Sequence, residues 1–380
     1  MRRTAPHDIT RLVAEEAPRR KHRIVLLPGD GIGRDVTAAA RRAVDAVGVS
    51  VEWEVHEVGL RAHETSGDAL PPVVLEAIRQ ARVALKGPVS TPLDGRFRSV
   101  NLALRAELGL FAQVRPCKSL PGVATRFAPV DVVVIRQTEE DLYAGIEFDR
   151  GTDETVELIA WLVARGRHVH PESGLSLKPI SEPAARRIFE FAFDYARVNG
   201  RRSVTAVHKA TVMRSTDGLF LAAARDVAAE NTDIEFRDAL VDNLAAQLIL
   251  RPAEHDVIVA PNLYADVLSD VAAALVGGVG VAPGANVGPT AAIFEPAHGS
   301  APRHAGSNRA NPIAAILSAA LMLRHLGAES AAARIEEAVA AVVRERRRLT
   351  YDLHAVDDEA TAAGTSDVAD AVVEKLSPPP

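Results

Sequence analysis

Two carboxylates spaced four residues apart are the first feature of this sequence that could do chemistry. Asp266 and Asp270 lie in the otherwise largely apolar segment NLYADVLSD at 262–270. That spacing places both side chains on one face of a helix, where like charges repel. Burying the pair requires a cation, and carboxylate oxygens are ligands that Mg²⁺ and Mn²⁺ favour. The spacing predicts a divalent metal site, with Asp242 as a possible third ligand, and a solvated helix face is the alternative.

Basic and phenolic side chains form a second group of candidates. The planar fork of arginine suits carboxylates and phosphates, although surface salt bridges are the common role of each such residue. Arg136 is the strongest candidate because it ends a predicted buried strand, and ligands of α/β sheets bind beyond strand ends. Lys209 also follows a predicted strand, and Tyr143 lies in a glycine-containing stretch, but single lysines and tyrosines are often structural. The arginines of this segment are Arg98, Arg105, Arg115 and Arg136.

A glycine-rich turn follows the first apolar run of the chain. Residues 28–33 read PGDGIG, between an apolar run at 23–27 and an alanine-rich stretch at 35–47. The turn invites comparison with the phosphate-binding G-x-G-x-x-G pattern, but Arg34 stands where the third glycine belongs. A tight strand-to-helix turn that needs glycine dihedral angles is the simpler interpretation.

The elements that must position these groups alternate between strands and helices. This alternation predicts an α/β fold, and the continuous apolar run at 130–135 predicts a strand buried on both faces. Residues 145–170 alternate β-type residues with charges and glycines, which predicts hairpins of a peripheral element. We expect strands at 23–27, 51–58, 82–85, 130–135, 204–207 and 257–260, and helices at 35–47, 71–80, 182–197, 313–326 and 331–346.

Composition excludes several classes of protein. The 380 residues suggest two or three domains, and 47% hydrophobic with 25% charged residues is typical of a globular chain rather than a disordered one. A net charge of −6 and the lack of a basic stripe argue against nucleic acid or an anionic membrane as partner. The single cysteine, Cys117, excludes an internal disulfide and a cysteine-built zinc site.

The chain is expected to be cytoplasmic. Its longest apolar stretches, 271–282 and 313–323, are shorter than the ~20 residues that cross a bilayer. Acidic residues at 8, 15 and 16 argue against a signal or transit peptide in the arginine-rich start. One free cysteine is consistent with a reducing compartment.

Several long motifs stand in the order of one known family. From about Arg23 to Leu376, the chain resembles the β-decarboxylating dehydrogenases, the isocitrate and isopropylmalate dehydrogenase family. The matching motifs are PGDGIG at 28–33, Arg136 with YAGIE at 143–147, HKA at 208–210, the segment 262–270, GGVG at 277–280, and Glu295 with HGSAP at 298–302.

The resemblance implies two α/β domains with a clasp rather than the Rossmann dinucleotide-binding fold. It implies a large domain on the cofactor side, a small domain on the metal and dimer side, and a homodimer with shared active sites. The implied divisions are a flexible N-terminal extension at 1–22, the large domain at 23–110 and 277–380, the small domain at 111–140 and 182–276, and the clasp at 141–181.

The resemblance also implies the roles of the site residues. Asp266 and Asp270, with Asp242 of the other chain, are similar to the ligands of Mg²⁺ or Mn²⁺. Lys209, also from the other chain, resembles the group that handles the substrate hydroxyl proton, and Tyr143 resembles the acid that protonates the enolate carbon. The implied clamp on the substrate carboxylates consists of Arg105, Arg115 and Arg136.

Substrate choice in this family depends on the loop before Arg105. Isocitrate enzymes resemble Arg-Ser-x-Asn here, and this chain has Ser99 and Asn101 at the two polar positions. Hydrogen-bonding side chains favour a third carboxylate over an isopropyl group. Departures at 137–139, and Thr211 in place of the usual asparagine, leave open a specialised paralogue acting on another substituted malate, such as isopropylmalate, homoisocitrate or tartrate.

The resemblance favours NADP, with NAD as the alternative. NAD enzymes resemble Asp-Ile after the HGSAP loop, whereas this chain has Arg303 and His304, with Tyr351 kept, and cationic groups suit a 2′-phosphate. Ala355 stands where bacterial NADP enzymes often have arginine, which weakens that preference. The other implied cofactor-binding residues are Thr91, Glu295, His298, Gly299, Ser300, Ala301 and Asn311.

A non-catalytic regulatory subunit is a second class of hypothesis, because some members of this family assemble with degenerate partners. Such subunits typically lack part of the metal or acid–base set. All five of these residues are present here, which disfavours that alternative: Tyr143, Lys209, Asp242, Asp266 and Asp270.

Overall fold

The structure, a computed structural model, describes residues 21–92, 94–127, 129–353 and 362–376. The predicted N-terminal extension falls outside the described residues up to position 20, and so does Ala355. The first strand begins at His22, the last residue of the predicted extension.

The described residues form twelve strands. They are His22–Leu27 (β1), Val51–Val55 (β2), Val83–Lys86 (β3), Ala112–Lys118 (β4), Asp131–Gln137 (β5), Glu147–Phe148 (β6), Leu175–Ser176 (β7), Ser203–His208 (β8), Glu235–Leu240 (β9), Val257–Ala260 (β10), Pro283–Val287 (β11) and Ala292–Pro296 (β12).

The same residues form twelve α-helices, none of them long and apolar enough to cross a membrane. They are Gly33–Val47 (α1), Leu60–Ser66 (α2), Pro72–Ala81 (α3), Val100–Leu108 (α4), Asp153–Val163 (α5), Glu182–Val198 (α6), Asp217–Glu230 (α7), Val241–Leu250 (α8), Asn262–Leu275 (α9), Ile313–His325 (α10), Glu329–Glu345 (α11) and Thr365–Leu376 (α12).

Ten strands form one sheet in the order β2-β1-β3-β12-β11-β4-β5-β10-β8-β9. The first four of these strands are parallel to one another, and so are the last four. The strands β11 and β4 join the two parallel groups through antiparallel pairs. The predicted α/β fold is therefore confirmed, with two parallel halves whose strands run in opposite directions.

The sheet is covered on both faces, as the continuous apolar strands require. Along β1, Ile24 and Leu26 pack into one core cluster, whereas Val25 and Leu27 pack into another. Successive side chains of a strand point to opposite faces, so a strand buried on both sides is mostly apolar at consecutive positions. The domain boundaries at 110, 140, 182 and 276 remain a prediction.

The PGDGIG turn packs tightly against the loop at 298–302. Gly31 has φ +58°, and a Cβ there would lie 1.9 Å from the Ser300 carbonyl oxygen. The Ile32 N–H donates to that oxygen at 2.9 Å. The glycines thus serve a tight turn and a close backbone approach, which agrees with the simpler interpretation of this motif.

The peripheral segment differs in part from its predicted hairpins. The strands β6 and β7 pair antiparallel in a separate two-stranded sheet, but α5 lies between them. Thr152 caps α5, since its Oγ1 accepts from the Thr155 N–H, and Asp153 and Glu154 lie in the first turn. The hairpin prediction is wrong over 153–163 because these helix-start signals outweigh the β-type residues that follow.

Candidate active site

Four predicted site residues follow the carboxyl ends of the parallel strands β5, β10, β8 and β9. Tyr143 follows β5, Lys209 follows β8, Asp242 follows β9 and Asp266 lies on the helix after β10. Parallel strands end at the same edge of a sheet, so the fold gathers these groups at one edge. Because β10 lies between β5 and β8, Asp266 is brought next to Tyr143, which is distant in sequence.

Three buried arginines form the floor of the site, and we call Arg105, Arg115 and Arg136 the arginine cluster. Their exposed fractions are 9%, 8% and 2%. Burial lowers the pKa of Arg105, and it lowers the pKa of Arg136 to about 10. The positive charge of Arg115 lowers both of these pKa values further, and that of Arg105 also lowers the pKa of Arg136. The cluster therefore concentrates positive charge and favours an anionic ligand.

Two carboxylates of α9 face the arginine cluster, as their spacing predicts. Asp266 accepts hydrogen bonds from Arg136 and, at 2.5 Å, from the Tyr143 hydroxyl. Asp270 accepts from Arg115 at 3.1 Å. Partial burial raises the pKa of Asp270, and the neighbouring Asp266 charge adds to that effect.

Tyr143 lies between these groups. The Arg136 guanidinium stacks 4.8 Å from the centre of its ring. Burial raises the pKa of the Tyr143 hydroxyl, and the hydrogen bond to Asp266 raises it further. The phenol is therefore held protonated beside the arginine cluster, as a proton donor requires.

Lys209 and Asp242 form a separate pair. Lys209 Nζ lies 2.6 Å from Asp242 Oδ1, and this hydrogen bond lowers the pKa of Asp242. No hydrogen bond or ion pair between described residues joins this pair to Asp266 or Asp270. One chain thus presents two clusters, which we call the tyrosine cluster (Tyr143, Asp266, Asp270) and the lysine cluster (Lys209, Asp242).

The donor set of α9 fits a divalent metal in part. Asp270 keeps an open carboxylate, with a side chain 61% exposed, one helical turn from Asp266. Hard oxygen ligands at this spacing suit Mg²⁺ or Mn²⁺. Within the described ranges no three His, Cys, Asp or Glu side chains come together to hold a metal ion.

The predicted substrate loop leads directly into α4. Ser99 is the N-cap of this helix and accepts weakly from the Leu102 N–H at 3.4 Å. Asn101 has a buried side-chain oxygen without a hydrogen-bond partner. A buried polar atom left unpaired is costly, so the Asn101 amide is available to a ligand or a water molecule.

A buried network that the sequence did not predict supports Arg105 from below. Lys86 Nζ lies 2.5 Å from Glu295 Oε2, and the Asn286 amide donates to Glu295 Oε1 at 2.7 Å. Asn286 Oδ1 accepts from Arg105 Nε at 3.1 Å. Glu295, expected at the cofactor, thus has a carboxylate engaged with Lys86 and Asn286. A lysine ending an apolar strand was the one signal that could have indicated this network.

The remaining predicted cofactor residues lie in the loops after β3 and β12, which end at the same sheet edge, except for Tyr351, which follows α11. Ser300 Oγ lies 2.7 Å from Ser90 Oγ, next to the exposed Thr91, and it is flanked by Gly299 and Ala301. His298 has a buried Nε2 without a partner, and burial lowers its pKa.

Aromatic and cationic groups continue this surface. The rings of His304 and Tyr351 are 5.8 Å apart, next to the exposed Arg303. Asn311 donates to Asp352 at 2.9 Å. An unpaired imidazole nitrogen, a tilted pair of rings and an exposed arginine suit a ligand with a base and a phosphate.

Comparisons with known proteins agree with this geometry. Residues 23–372 match the model of the family described as isocitrate/isopropylmalate dehydrogenase. A probable NAD isocitrate dehydrogenase subunit alpha, mitochondrial, from Caenorhabditis elegans is 43% identical over 331 residues, 87% of each chain. An NADP isocitrate dehydrogenase from Archaeoglobus fulgidus is 41% identical over 377 residues, 92% of this chain and 91% of the relative.

A solved structure shows the same fold. The crystal structure of isocitrate dehydrogenase from Methylococcus capsulatus superposes with a TM-score of 0.86 at 43% sequence identity. The match covers 93% of this chain and 99% of that one. Relatives named for NAD and for NADP are almost equally similar, so overall identity does not decide the cofactor.

Proposed function

This chain belongs to the isocitrate/isopropylmalate dehydrogenase family, and is thus an NAD(P)-dependent β-decarboxylating dehydrogenase, and we propose that it oxidises and decarboxylates isocitrate with NADP. The products would be 2-oxoglutarate, CO₂ and NADPH. The proposal rests above all on the arginine cluster, whose three guanidiniums are buried and two of which, those of Arg115 and Arg136, pair with Asp266 of α9.

The arginine cluster suits a substrate with several carboxylates. Arg115 and Arg136 are both paired with Asp266 in the chain alone. Arg105 Nε donates to Asn286 Oδ1, and its Nη2 lies 4.0 Å from Glu295 Oε1, so a substrate carboxylate would bind the remaining N–H groups of this guanidinium. Substrate carboxylates would take over part of the charge balance that Asp266 now supplies.

Tyr143 is the proposed acid for the last step. Loss of CO₂ breaks the bond between the substrate's α-keto acid skeleton and its β-carboxylate, and the electron pair of that bond forms an enolate. The Tyr143 hydroxyl would donate its proton to the enolate carbon, and Arg136 over the ring would stabilise the phenolate left behind.

The two aspartates of α9 would hold Mg²⁺ or Mn²⁺ together with the partner's Asp242. The bound metal would polarise the substrate hydroxyl and then the ketone. The Asp270 carboxylate is open to solvent and has room to bind the metal, whereas Asp266 would have to exchange its contact with Arg136 for one with the metal. The partner's Lys209 would take up the hydroxyl proton as the carbon-bound hydrogen leaves as hydride to NADP.

Two polar residues support isocitrate over an alkylmalate. The unpaired amide oxygen of Asn101 and the weakly engaged Ser99 hydroxyl give the loop hydrogen-bonding capacity that an isopropyl group cannot use. A specialised paralogue for another substituted malate remains the alternative substrate proposal, because Thr211 is exposed at the position usual for asparagine.

The side chains of Arg303, His304 and Tyr351 support NADP as the preferred cofactor. Arg303 is exposed, and His304 lies against Tyr351. A 2′-phosphate carries negative charge that an arginine fork binds well.

We place the reaction in a homodimer in the cytoplasm, consistent with the single buried thiol of Cys117.

A turnover panel tests the proposal. Isocitrate, isopropylmalate, homoisocitrate and tartrate are each assayed with NADP and NAD, in Mg²⁺ and in Mn²⁺. The largest kcat/KM should belong to isocitrate with NADP, and Arg136→Met should abolish turnover, whereas exposed Arg197→Met should not. A larger kcat/KM for another malate would assign the chain to the alternative substrate, and no turnover of any of the four would reject the proposed chemistry.

A further inference from the structure

A buried lysine outside both clusters joins the segments that carry them. Lys178 follows β7, and its side chain is only 12% exposed. Its ammonium lies 2.5 Å from Asp217 Oδ1 and 3.7 Å from Asp141 Oδ1, and the two aspartate side chains are 0% and 1% exposed. Burying three charged side chains is costly unless they are paired, so we expect this group to hold a specific arrangement of the segments that carry it.

One of these aspartates holds the tyrosine cluster. Asp141 begins the short 3₁₀ turn that carries Tyr143, and its Oδ2 accepts from the Leu263 N–H at 2.7 Å. Leu263 is in the first turn of α9, the helix of Asp266. The Asp141 backbone is in the left-handed region, with φ +72°, which costs energy in a residue other than glycine. Asp141 therefore fixes Tyr143 and α9 relative to each other.

The other aspartate holds the lysine cluster. Asp217 is the first residue of α7, and its Oδ2 accepts from the Lys209 backbone N–H at 2.6 Å. Lys178 also lies 4.5 Å from the ring centre of Tyr264, a residue of α9. The turn that carries Lys209 is thus tied through Asp217 and Lys178 to the elements that carry the tyrosine cluster.

We propose that Lys178 is a positioning residue that acts on two active sites at once, those of its own chain and of its partner. The inference rests on the proposed function, in which the tyrosine cluster serves the chain's own site and the lysine cluster serves the partner's site. One ammonium neutralises both aspartates, so its loss leaves two buried carboxylates facing each other and displaces both segments. No group of Lys178 itself has to touch the substrate.

Hybrid dimers separate the two effects. Differently tagged chains are refolded together, and hybrids are isolated by two successive affinity steps. The reference hybrid pairs Lys209→Met with Asp270→Asn, which leaves one intact site. In a hybrid of Lys178→Met with Lys209→Met, the working site takes its lysine cluster from the Lys178→Met chain. In a hybrid of Lys178→Met with Asp270→Asn, the working site takes its tyrosine cluster from that chain.

Both Lys178→Met hybrids should turn over at least about tenfold more slowly than the reference hybrid, because small displacements of catalytic groups carry large rate penalties. In the hybrid with Lys209→Met, kcat should fall while KM for isocitrate stays unchanged, since the arginine cluster of its working site comes from an unaltered Lys178 chain. Exposed Lys118→Met, combined in the same way, should match the reference. Rates are taken on isolated folded dimers, well below their melting temperature.

Each outcome decides a different claim. If either Lys178→Met hybrid equals the reference, Lys178 serves at most one segment and the proposal is wrong. If the reference hybrid itself has no activity while wild type turns over, the shared site is wrong and the two-site role falls with it. Should Lys178→Met not form dimers, Lys178→Gln, which also removes the charge but keeps a hydrogen-bond donor, is used, and both of its hybrids must show a loss of kcat relative to the reference hybrid.

Discussion

Removing the Lys86 ammonium should destabilise the protein in a pH-dependent way. Lys86 is 1% exposed and pairs with Glu295, whose carboxylate is also supported by Asn286. Burial alone would raise the pKa of Glu295, but Lys86 and then Arg105 lower it from 4.5 to about 2. At about 1.4 kcal/mol per pKa unit, the network favours the ionised form by about 3 kcal/mol.

The Lys86→Met variant keeps the buried carboxylate but loses its nearest cation. Breaking a buried pair in this way costs about 3 to 5 kcal/mol of the free energy of unfolding. In wild type the pKa of Glu295 is lowered, so its stabilising effect is present above the unfolded value near 4.5 and is lost as pH falls toward 2. In the variant burial dominates and raises that pKa, so the destabilisation should grow as pH rises from 5 to 7.

Urea unfolding at fixed protein concentration, at pH 5 and at pH 7, measures both effects. The double variant Lys86→Met with Glu295→Gln removes both charges of the buried pair, so it should recover most of the loss. Lys375→Met, which removes an exposed partner of Glu345, should change the free energy of unfolding by less than about 1 kcal/mol. A deficit of equal size at both pH values, or no recovery in the double variant, would refute the reasoning.

Three further changes test the proposed ligands. Asp270→Asn should abolish Mg²⁺- or Mn²⁺-dependent turnover, and chelator-treated wild type that keeps its full rate would contradict the metal site. Arg303→Asp should lose about 1.5 to 3 kcal/mol of binding to the 2′-phosphate, and an unchanged ratio of kcat/KM for NADP and NAD would place the phosphate elsewhere. Ser99→Ala and Asn101→Ala should lower kcat/KM for isocitrate by about tenfold each and leave that for isopropylmalate nearly unchanged, and equal losses would make the loop structural.

Local patterns predicted the fold well. The apolar run at 130–135 corresponds to β5, and the periodic stretch at 182–197 corresponds to α6 with one residue added. Such elements are encoded by hydrophobic periodicity, which needs no knowledge of distant residues. The segment at 153–163 is the exception. Its β-type residues predict strands, but they follow the helix-start signals of Thr152 and Asp153 and belong to helix α5.

The metal and arginine groups were predicted from residue type, but their supports were not. The spacing of Asp266 and Asp270 indicates a shared helix face, and the structure confirms that they lie on one helix facing arginines. Asn286 and Lys178 have no local pattern that distinguishes them from other polar residues. Each acts by joining groups far apart in sequence, and only the folded arrangement brings those groups within hydrogen-bond distance.

Strand order explains why one chain carries two incomplete clusters. Asp242 and Asp266 lie on the consecutive helices α8 and α9, but the sheet inserts β10 between β5 and β8 and leaves β9 at the edge. Asp266 therefore contacts Tyr143, while Asp242 contacts Lys209. The proposed reaction moves one proton from a hydroxyl oxygen and another onto a carbon, so it requires a group at each position. Each cluster holds one proton-transfer group, so under the proposed function two clusters from different chains would form a complete set, and a bridging residue such as Lys178 would matter for both sites.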